Sequence, residues 1–193
     1  MEQFQYLVSS PVRVGSHYVI QLLGSSGVRC QKTHDPRLVV DYAHTYLIML
    51  YRLDRFGTLM SHAIWTRTRE SNEYTNQDPS PFVVSRTEFD NIFVHNMTYH
   101  SKHDLSLPWA GIYRTNFEDV LADNAAFLQQ FGLKINPMAK EIWNSLVPGG
   151  MEKSPYRYER LVINHEQCRE WFEENLKNTR MLFNPPQHQS SHL

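Results

Sequence analysis

The chain has 193 residues, a length that favours one domain over two. Hydrophobic residues make up 41% and charged residues 20%, so the chain can form a substantial core, which disfavours disorder of the whole chain. The 19 basic and 20 acidic residues nearly balance, without the basic excess that nonspecific nucleic-acid binding needs. We therefore expect no nucleic-acid partner, and any anion site must be local.

Strands and helices alternate in the first third of the chain. Short apolar runs predict strands, and apolar residues at helical spacing predict helices. The nearly continuous apolar run of the third strand is typical of a strand buried on both faces of a parallel sheet. The predicted elements in chain order are strand Phe4 to Ser9, helix Ser16 to Leu23, strand Val28 to Lys32, strand Thr45 to Tyr51, and a helix capped by Asp54 that runs to about Thr68.

The alternation resumes after a polar segment. Ser71 to Pro81 predicts an exposed loop, and the later elements are a helix around Phe89 to Met97, a strand from Gly111 to Phe117, one helix from Asp119 to Phe131 closed by Gly132, and helices Pro137 to Leu146 and Asn164 to Lys177. This pattern predicts an α/β fold of three layers, α/β/α, around a mainly parallel sheet. We expect a single domain over residues 1–183 and a flexible tail over 184–193.

The segment after the first strand has the composition of an anion-binding loop. In a parallel sheet this loop lies at the carboxyl edge, where backbone amides and the next helix N-terminus can hold a phosphate. Gly15 permits close backbone approach, Ser16 offers a hydroxyl, and Arg13 supplies a permanent cation. A plain strand-to-helix turn is the alternative interpretation of this segment alone.

Two further polar clusters follow the second and third strands. Lys32 and His34 stand in a Lys-Thr-His-Asp-Pro segment, and Arg52 ends the third strand ahead of a helix that carries Ser61. Because the carboxyl ends of parallel strands meet at one edge, we expect all three clusters to lie together. A structural ion pair with Asp54 is the alternative role for Arg52.

The order of loop, Lys-Thr-His-x-Pro segment, strand-ending arginine and helical serine resembles the sulfotransferase family. The resemblance implies a P-loop-like topology and 3′-phosphoadenosine 5′-phosphosulfate as co-substrate, with no metal. It implies that His34 is the catalytic base and that Arg52 and Ser61 bind the 3′-phosphate. Their spacing is one residue longer than usual, which leaves Arg55 as the alternative to Arg52.

Within the loop, the resemblance assigns the 5′-phosphosulfate to the segment Arg13, Val14, Gly15, Ser16 and His17, with an extra Val12, Val14 in place of serine and His17 in place of a second hydroxyl. Arg13 and Lys32 would neutralise charge that develops during transfer. Phe117, followed by Glu118-Asp119, resembles the family's Tyr-Glu-Asp-Leu segment and would contact the nucleotide. Lys153 to Tyr158 resembles a C-terminal segment that closes over the nucleotide in some members.

The predicted reaction is transfer of a sulfonate group to a hydroxyl or amine of a carbohydrate or small molecule. The alternatives are a non-catalytic nucleotide-binding module of the same fold, and a nucleotide kinase or other phosphotransferase, which would require a Lys-Ser/Thr loop. His95, His100 and His103 do not share one helical face at metal-ligand spacing, so no metal site is predicted.

Location and partners follow from what the sequence does not contain. The segment from Met1 to Ser10 has no basic leader, and no apolar run approaches the roughly 18 residues of a membrane span. Cys30 and Cys168 lie far apart and lack metal-ligand spacing, which favours a reducing compartment. We therefore predict a cytoplasmic protein with no membrane partner, and the oligomeric state stays open.

Overall fold

The sheet is parallel throughout the residues that the structure, a computed structural model, describes: 5–35, 40–70, 80–138 and 157–183. Its strands are β1 (Gln5–Ser9), β2 (Arg29–Thr33), β3 (Thr45–Tyr51) and β4 (Gly111–Asn116). They lie in the order β2-β1-β3-β4, and each neighbouring pair runs parallel. The prediction of an α/β fold with a parallel sheet is confirmed.

The helices of the described ranges are α1 (Ser16–Gly24), α2 (Arg55–Glu70), α3 (Arg86–Thr98), α4 (Phe117–Ala122), α5 (Asn124–Gln129), α6 (Arg157–Leu161) and α7 (His165–Phe183). Short 3-10 turns occupy Tyr42–His44 and His100–Lys102. Ser85 begins α3 with a side-chain cap, because its hydroxyl accepts a hydrogen bond from the Glu88 amide. None of the described helices is both long and apolar enough to cross a membrane.

Strands β1 and β3 lie at the centre of the sheet and are largely buried. Leu47, Ile48, Met49 and Leu50 of β3 are all buried, as a central strand of a parallel sheet requires. Ser9 at the end of β1 pairs with Thr33 of β2 on one side and with Met49 of β3 on the other. The three loops that follow these strands therefore leave the sheet along one edge.

Three groups of apolar side chains form the core. On one face of the sheet Val8 and Ile48 pack with α1, α4 and α5. On the other face Leu7, Leu47 and Met49 pack against Val40, Tyr51 and Trp109. Helices α2, α3, α6 and α7 share a separate core, which includes Phe56, Leu59, Phe89, Val162 and Phe172. Because α2 begins four residues after β3, this helical group lies next to the carboxyl edge of the sheet.

The prediction of one continuous helix from Asp119 to Phe131 is wrong. Residues 119–131 do not form a single helix, because the backbone at Asp123 leaves the helical region with φ −146° and ψ 86°. The Asp123 carboxylate then accepts a hydrogen bond of 2.8 Å from the Ala126 amide and begins α5. The chain therefore turns between α4 and α5, and a capping aspartate explains the interruption.

Some predictions concern residues outside the described ranges. They are the exposed loop over most of 71–81, the helix of 137–146 beyond Met138, nearly all of the segment 153–158, and the tail from residue 184.

Candidate functional site

The loop after β1 makes a sharp turn with two residues in the left-handed region. Arg13 has a φ of 69° and Gly15 a φ of 98°. A Cβ atom on Gly15 would lie 2.5 Å from Cε2 of Phe117, so the ring excludes a side chain there. The Gly15 carbonyl accepts a hydrogen bond of 3.0 Å from the Tyr18 amide and starts α1. Glycine at this position is required by both the backbone conformation and the contact.

Burial anchors the same loop. Val14 is 2% exposed and packs in the core below α1, while Val12 is 9% exposed. Both valines therefore act as apolar anchors of the turn. Ser10 is fully buried, and its Oγ has no hydrogen-bond partner among the described residues. A buried hydroxyl without a partner costs free energy, which a ligand oxygen can recover.

His34 is held in one tautomer at the end of β2. Its Nδ1 lies 2.8 Å from the Ser10 carbonyl, which can only accept, so Nδ1 carries the proton and the neutral ring keeps a lone pair on Nε2. Burial lowers the pKa of His34; its bond to Ser10 opposes this, and the charge of Lys32 lowers the pKa further. At neutral pH His34 is therefore a neutral ring that can accept a proton.

Lys32 and His17 are in direct contact in front of the loop. Lys32 Nζ lies 2.6 Å from His17 Nε2 and donates to it. Burial lowers the pKa of His17 most, and Lys32, His34 and Arg13 lower it further. Burial, followed by Arg13, also lowers the pKa of Lys32. Within the described ranges no carboxylate pairs with Lys32, so this side of the site carries positive charge that a bound anion would offset.

Arg52, at the end of β3, differs from Lys32 because it has an acidic partner and also contacts the loop backbone and an aromatic ring. Its Nη1 donates to the Arg13 carbonyl at 3.3 Å, its Nε lies 3.5 Å from Oε1 of Glu118, and its guanidinium stacks on Phe117 with 5.7 Å to the ring centre. Glu118 also accepts a hydrogen bond of 3.0 Å from the Leu53 amide. Arg52 therefore braces the loop and pairs with Glu118, whereas Asp54 accepts from the Gly57 amide.

A cavity of about 130 Å³ opens beside the loop. Its walls come from the loop, the end of β3 and the facing sides of α2 and α3, and they include Pro11, Val14, Arg52, Arg55, Thr58, Asn96, Met97 and His100. Ser61 lies further along α2, is half-buried, and does not line this cavity. The sequence predicts no role in this site for Asn96, and it brought His100 forward only as one of three histidines whose spacing does not suit a metal.

Buried polar side chains also form hydrogen bonds to the carboxyl ends of β1 and β2. The Tyr99 hydroxyl donates to the Thr33 carbonyl at 3.2 Å, and Ser9 Oγ lies 2.6 Å from His103 Nε2. Burial raises the pKa of Tyr99 to about 12 and lowers the pKa of His100 to about 4. The described residues contain no group of three or more potential ligands that could hold a metal ion. The hydrogen bonds of Tyr99 and His103 connect β1 and β2 to the segment that follows α3.

Of the predicted site residues, Arg13 through His17, Lys32 and His34 form one cluster around the loop, and Arg52 and Phe117 brace it from the β3 side. Comparison of the chain with protein-family models, with curated proteins and with solved structures finds no match.

Proposed function

We propose that the chain is a sulfotransferase that uses 3′-phosphoadenosine 5′-phosphosulfate to sulfonate a hydroxyl or amine of a carbohydrate or small molecule. The observation that carries the proposal is the pairing of a neutral, oriented His34 with a cationic loop at the same sheet edge. A base beside fixed positive charge is what transfer of an anionic group to a neutral nucleophile requires.

The same proposal includes the finer features of the fold and the location. The parallel order β2-β1-β3-β4, with a phosphate loop between β1 and α1, is compatible with a three-layer, P-loop-like nucleotide-binding topology. A cytoplasmic location and the lack of nucleic-acid and membrane partners remain predictions from the sequence.

The loop after β1, together with Arg13 and Lys32, would bind the donor nucleotide. The backbone amides of Val14 to His17 and the Ser16 hydroxyl are placed at the N-terminus of α1, where an anion is stabilised. Arg52 and Ser61 would bind the 3′-phosphate, and Phe117, which lies against Gly15 of the loop, would contact the nucleotide. When bound, the nucleotide supplies an activated sulfonate with a phosphate leaving group.

His34 would act on the acceptor. Its Nε2 takes the proton of the acceptor hydroxyl while the acceptor oxygen forms a bond to sulfur and the bond from sulfur to the bridging phosphate oxygen breaks. The charge released onto the leaving phosphate is offset by Arg13 and Lys32. Positioning of the acceptor in line with the leaving oxygen contributes the rest of the acceleration.

Transfer of labelled sulfonate from the donor nucleotide to a panel of sugars, phenols and amines tests the activity. Binding is tested separately by calorimetry with 3′,5′-adenosine bisphosphate on Arg13→Ala. The matched control is Arg29→Ala, which removes an exposed arginine at the opposite end of β2. We expect Arg13→Ala to bind about tenfold more weakly, which is the cost of one charge-assisted hydrogen bond, and Arg29→Ala to bind as the unmodified protein does.

Three results separate the alternatives. Nucleotide binding without transfer to any acceptor would identify a non-catalytic module. Magnesium-dependent phosphoryl transfer from a nucleoside triphosphate would identify a kinase. Equal affinity of Arg13→Ala and the unmodified protein would show that the loop is not the nucleotide site.

A further inference from the structure

His62 of α2 has a ring nitrogen that the proposed mechanism does not use. Thr58, one turn earlier on α2, lines the cavity beside the loop together with Pro11. Residues four positions apart share a face of a helix, so His62 lies on the face of α2 that meets the loop. Its ring is half-buried and lies outside the cavity wall.

Contacts with α3 bring His62 close to the end of β2. The His62 ring centre lies 5.6 Å from that of His95, which in turn lies 6.0 Å from the ring centre of Tyr99. The Tyr99 hydroxyl donates to the carbonyl of Thr33, the residue before His34. His62 therefore lies on the side of the site that holds His34.

The electrostatic surroundings of His62 agree with this placement. Its pKa is lowered to about 4, mainly by burial and then by the charges of His95, His34 and Arg13. Charges that are separated by more than about 10 Å are largely screened, so these groups surround a common space. At neutral pH the His62 ring is uncharged.

Asn96 fixes the position of the proton on this ring. Its Nδ2 donates to the Ile92 carbonyl at 2.8 Å, which identifies this atom as the amide nitrogen, and to His62 Nδ1 at 3.1 Å. Nδ1 of His62 therefore carries the lone pair, and Nε2 carries the proton. Nε2 has no acceptor among the described residues and, unlike Asn96 Oδ1, it is not enclosed by protein. It is an oriented donor that is open to a ligand.

The charges around this donor favour an anionic oxygen as its partner. Arg13 and Lys32 supply positive charge on the loop side, and no carboxylate pairs with Lys32 within the described ranges. A neutral N–H group gains most from an acceptor that carries negative charge. In the proposed donor nucleotide this group is the sulfonate, because it must lie between the loop and His34.

We propose that His62 is a further catalytic residue, whose Nε2–H donates to a non-bridging oxygen of the transferred sulfonate, and that Asn96 is the positioning residue that fixes its tautomer. The inference rests on the proposed function for the identity of the transferred group. Negative charge on the peripheral oxygens during transfer strengthens this hydrogen bond. His62 keeps its proton throughout, so the proton of the acceptor still passes to His34.

Sulfate, which presents the same tetrahedral oxygens, tests the contact without turnover. The protein is labelled with nitrogen-15 at histidine, saturated with 3′,5′-adenosine bisphosphate and titrated with sodium sulfate, and sodium chloride of equal ionic strength is the control. We expect His62 to show a protonated Nε2 and an unprotonated Nδ1 at neutral pH, and its Nε2 resonance to move on addition of sulfate. The resonances of His44, which precedes β3 at the opposite edge of the sheet, should not move.

Substitutions test the same contact during transfer. His62→Leu removes the donor, and we expect sulfate affinity and kcat each to fall by about tenfold or more, while the affinity for 3′,5′-adenosine bisphosphate changes less than about twofold. His62→Gln places an amide N–H near the position of Nε2 and should recover most of the loss. Asn96→Leu should produce a mixture of the two His62 tautomers in the nitrogen-15 spectrum. His44→Leu is the matched control and should behave as the unmodified protein does.

A His62 ring that is unprotonated at Nε2, or an Nε2 resonance that sulfate does not move, overturns the inference. Normal turnover in His62→Leu does the same, and an unchanged tautomer in Asn96→Leu overturns the role of Asn96. The titration needs no substitution, so it decides the question even if His62→Leu does not fold. Movement of Nε2 with sulfate, but no transfer of sulfonate to any acceptor, would support the contact with the anion and refute the proposed function.

Discussion

The two ends of the proposed nucleotide site both carry cations, but the surroundings of these cations differ. At the end of β2, Lys32 donates a hydrogen bond to the neutral His17, and no carboxylate in the described ranges pairs with it. At the end of β3, Arg52 already pairs with Glu118, stacks on Phe117 and holds the Arg13 carbonyl. Lys32 is therefore left for a ligand, while Arg52 also supports the loop.

The β2 end therefore holds the groups with altered pKa values, whereas the contacts of Arg52 at the β3 end also hold the loop in place. Burial lowers the pKa values of His17, Lys32 and His34, and the nearby positive charges lower all three further. Arg52 contributes through geometry, because it joins the end of β3 to the backbone of the loop after β1. Substitutions at the β2 end should therefore change binding and turnover, and those at the β3 end should in addition change the shape of the loop.

The largest expected effect is on turnover when His34, the proposed base, is replaced. His34→Gln keeps a side chain that can donate to Ser10 but removes the proton acceptor at Nε2. We expect turnover to fall by about a hundredfold while the affinity for 3′,5′-adenosine bisphosphate changes less than about twofold. Steady-state transfer assays and calorimetry measure the two quantities.

His17→Ala is the control for this substitution, since His17 is the other histidine beside the loop. Near-normal turnover in His34→Gln would contradict the assignment. If His17→Ala abolishes turnover and His34→Gln does not, the base lies on the phosphate loop.

Lys32→Met and Arg52→Met test the comparison itself. Lys32→Met removes the cation without a carboxylate partner, and we expect nucleotide affinity to fall by about tenfold or more. Arg52→Met leaves Glu118 without its partner near the loop, so both affinity and thermal stability should fall. Calorimetry and thermal unfolding of both variants separate the two cases: a normal melting temperature for Lys32→Met and a lowered one for Arg52→Met are expected. The opposite pattern would reverse the two roles.

The sheet and the loop positions were predictable because their signals are local. The continuous apolar run of Thr45 to Tyr51 predicted a central strand, and parallel strands bring their following loops to one edge. Gly15 next to Ser16 marked the start of α1. The sequence could therefore predict that Lys32 and His34 lie near Arg13, because all three follow parallel strands at the same edge of the sheet.

The partners of these residues were not predictable, since they come from distant parts of the chain. Glu118 reaches Arg52 across 66 positions, which left Asp54 as the nearer candidate in the sequence. His100 and Asn96 line the cavity only because α3 returns to the end of β3. The interruption at Asp123 depended on a capping bond to Ala126 that an amphipathic pattern does not reveal. Local propensity gives the elements, and packing gives the contacts.

A smaller effect concerns selection for the 3′-phosphate. Arg52→Lys and Ser61→Ala should weaken binding of 3′,5′-adenosine bisphosphate about fivefold more than binding of the 5′-monophosphate, as expected for one lost hydrogen bond to an anion. Arg55→Met is the matched comparison, because Arg55 lines the cavity and is exposed. Equal losses for both nucleotides in all variants would refute a 3′-phosphate site at this end. A selective loss only in Arg55→Met would assign the phosphate to Arg55.

The smallest expected effect is a displacement of the pH profile, and it links Lys32 to the base. His34 must be neutral to accept a proton, so kcat/KM should fall as the pH drops through the pKa of His34, which burial places below its usual 6.5. Lys32 lowers this pKa further by its charge. Lys32→Met removes that contribution, so the pKa rises and the acidic limb of the profile moves to higher pH. Arg52→Met provides the control, because the side-chain charge that lowers the pKa of His34 is that of Lys32. The profile is measured from pH 4.5 to 8 with the acceptor below saturation, so that it reports the free enzyme. A limb that does not move in Lys32→Met, or that moves equally in Arg52→Met, would show that Lys32 does not act on the titrating group.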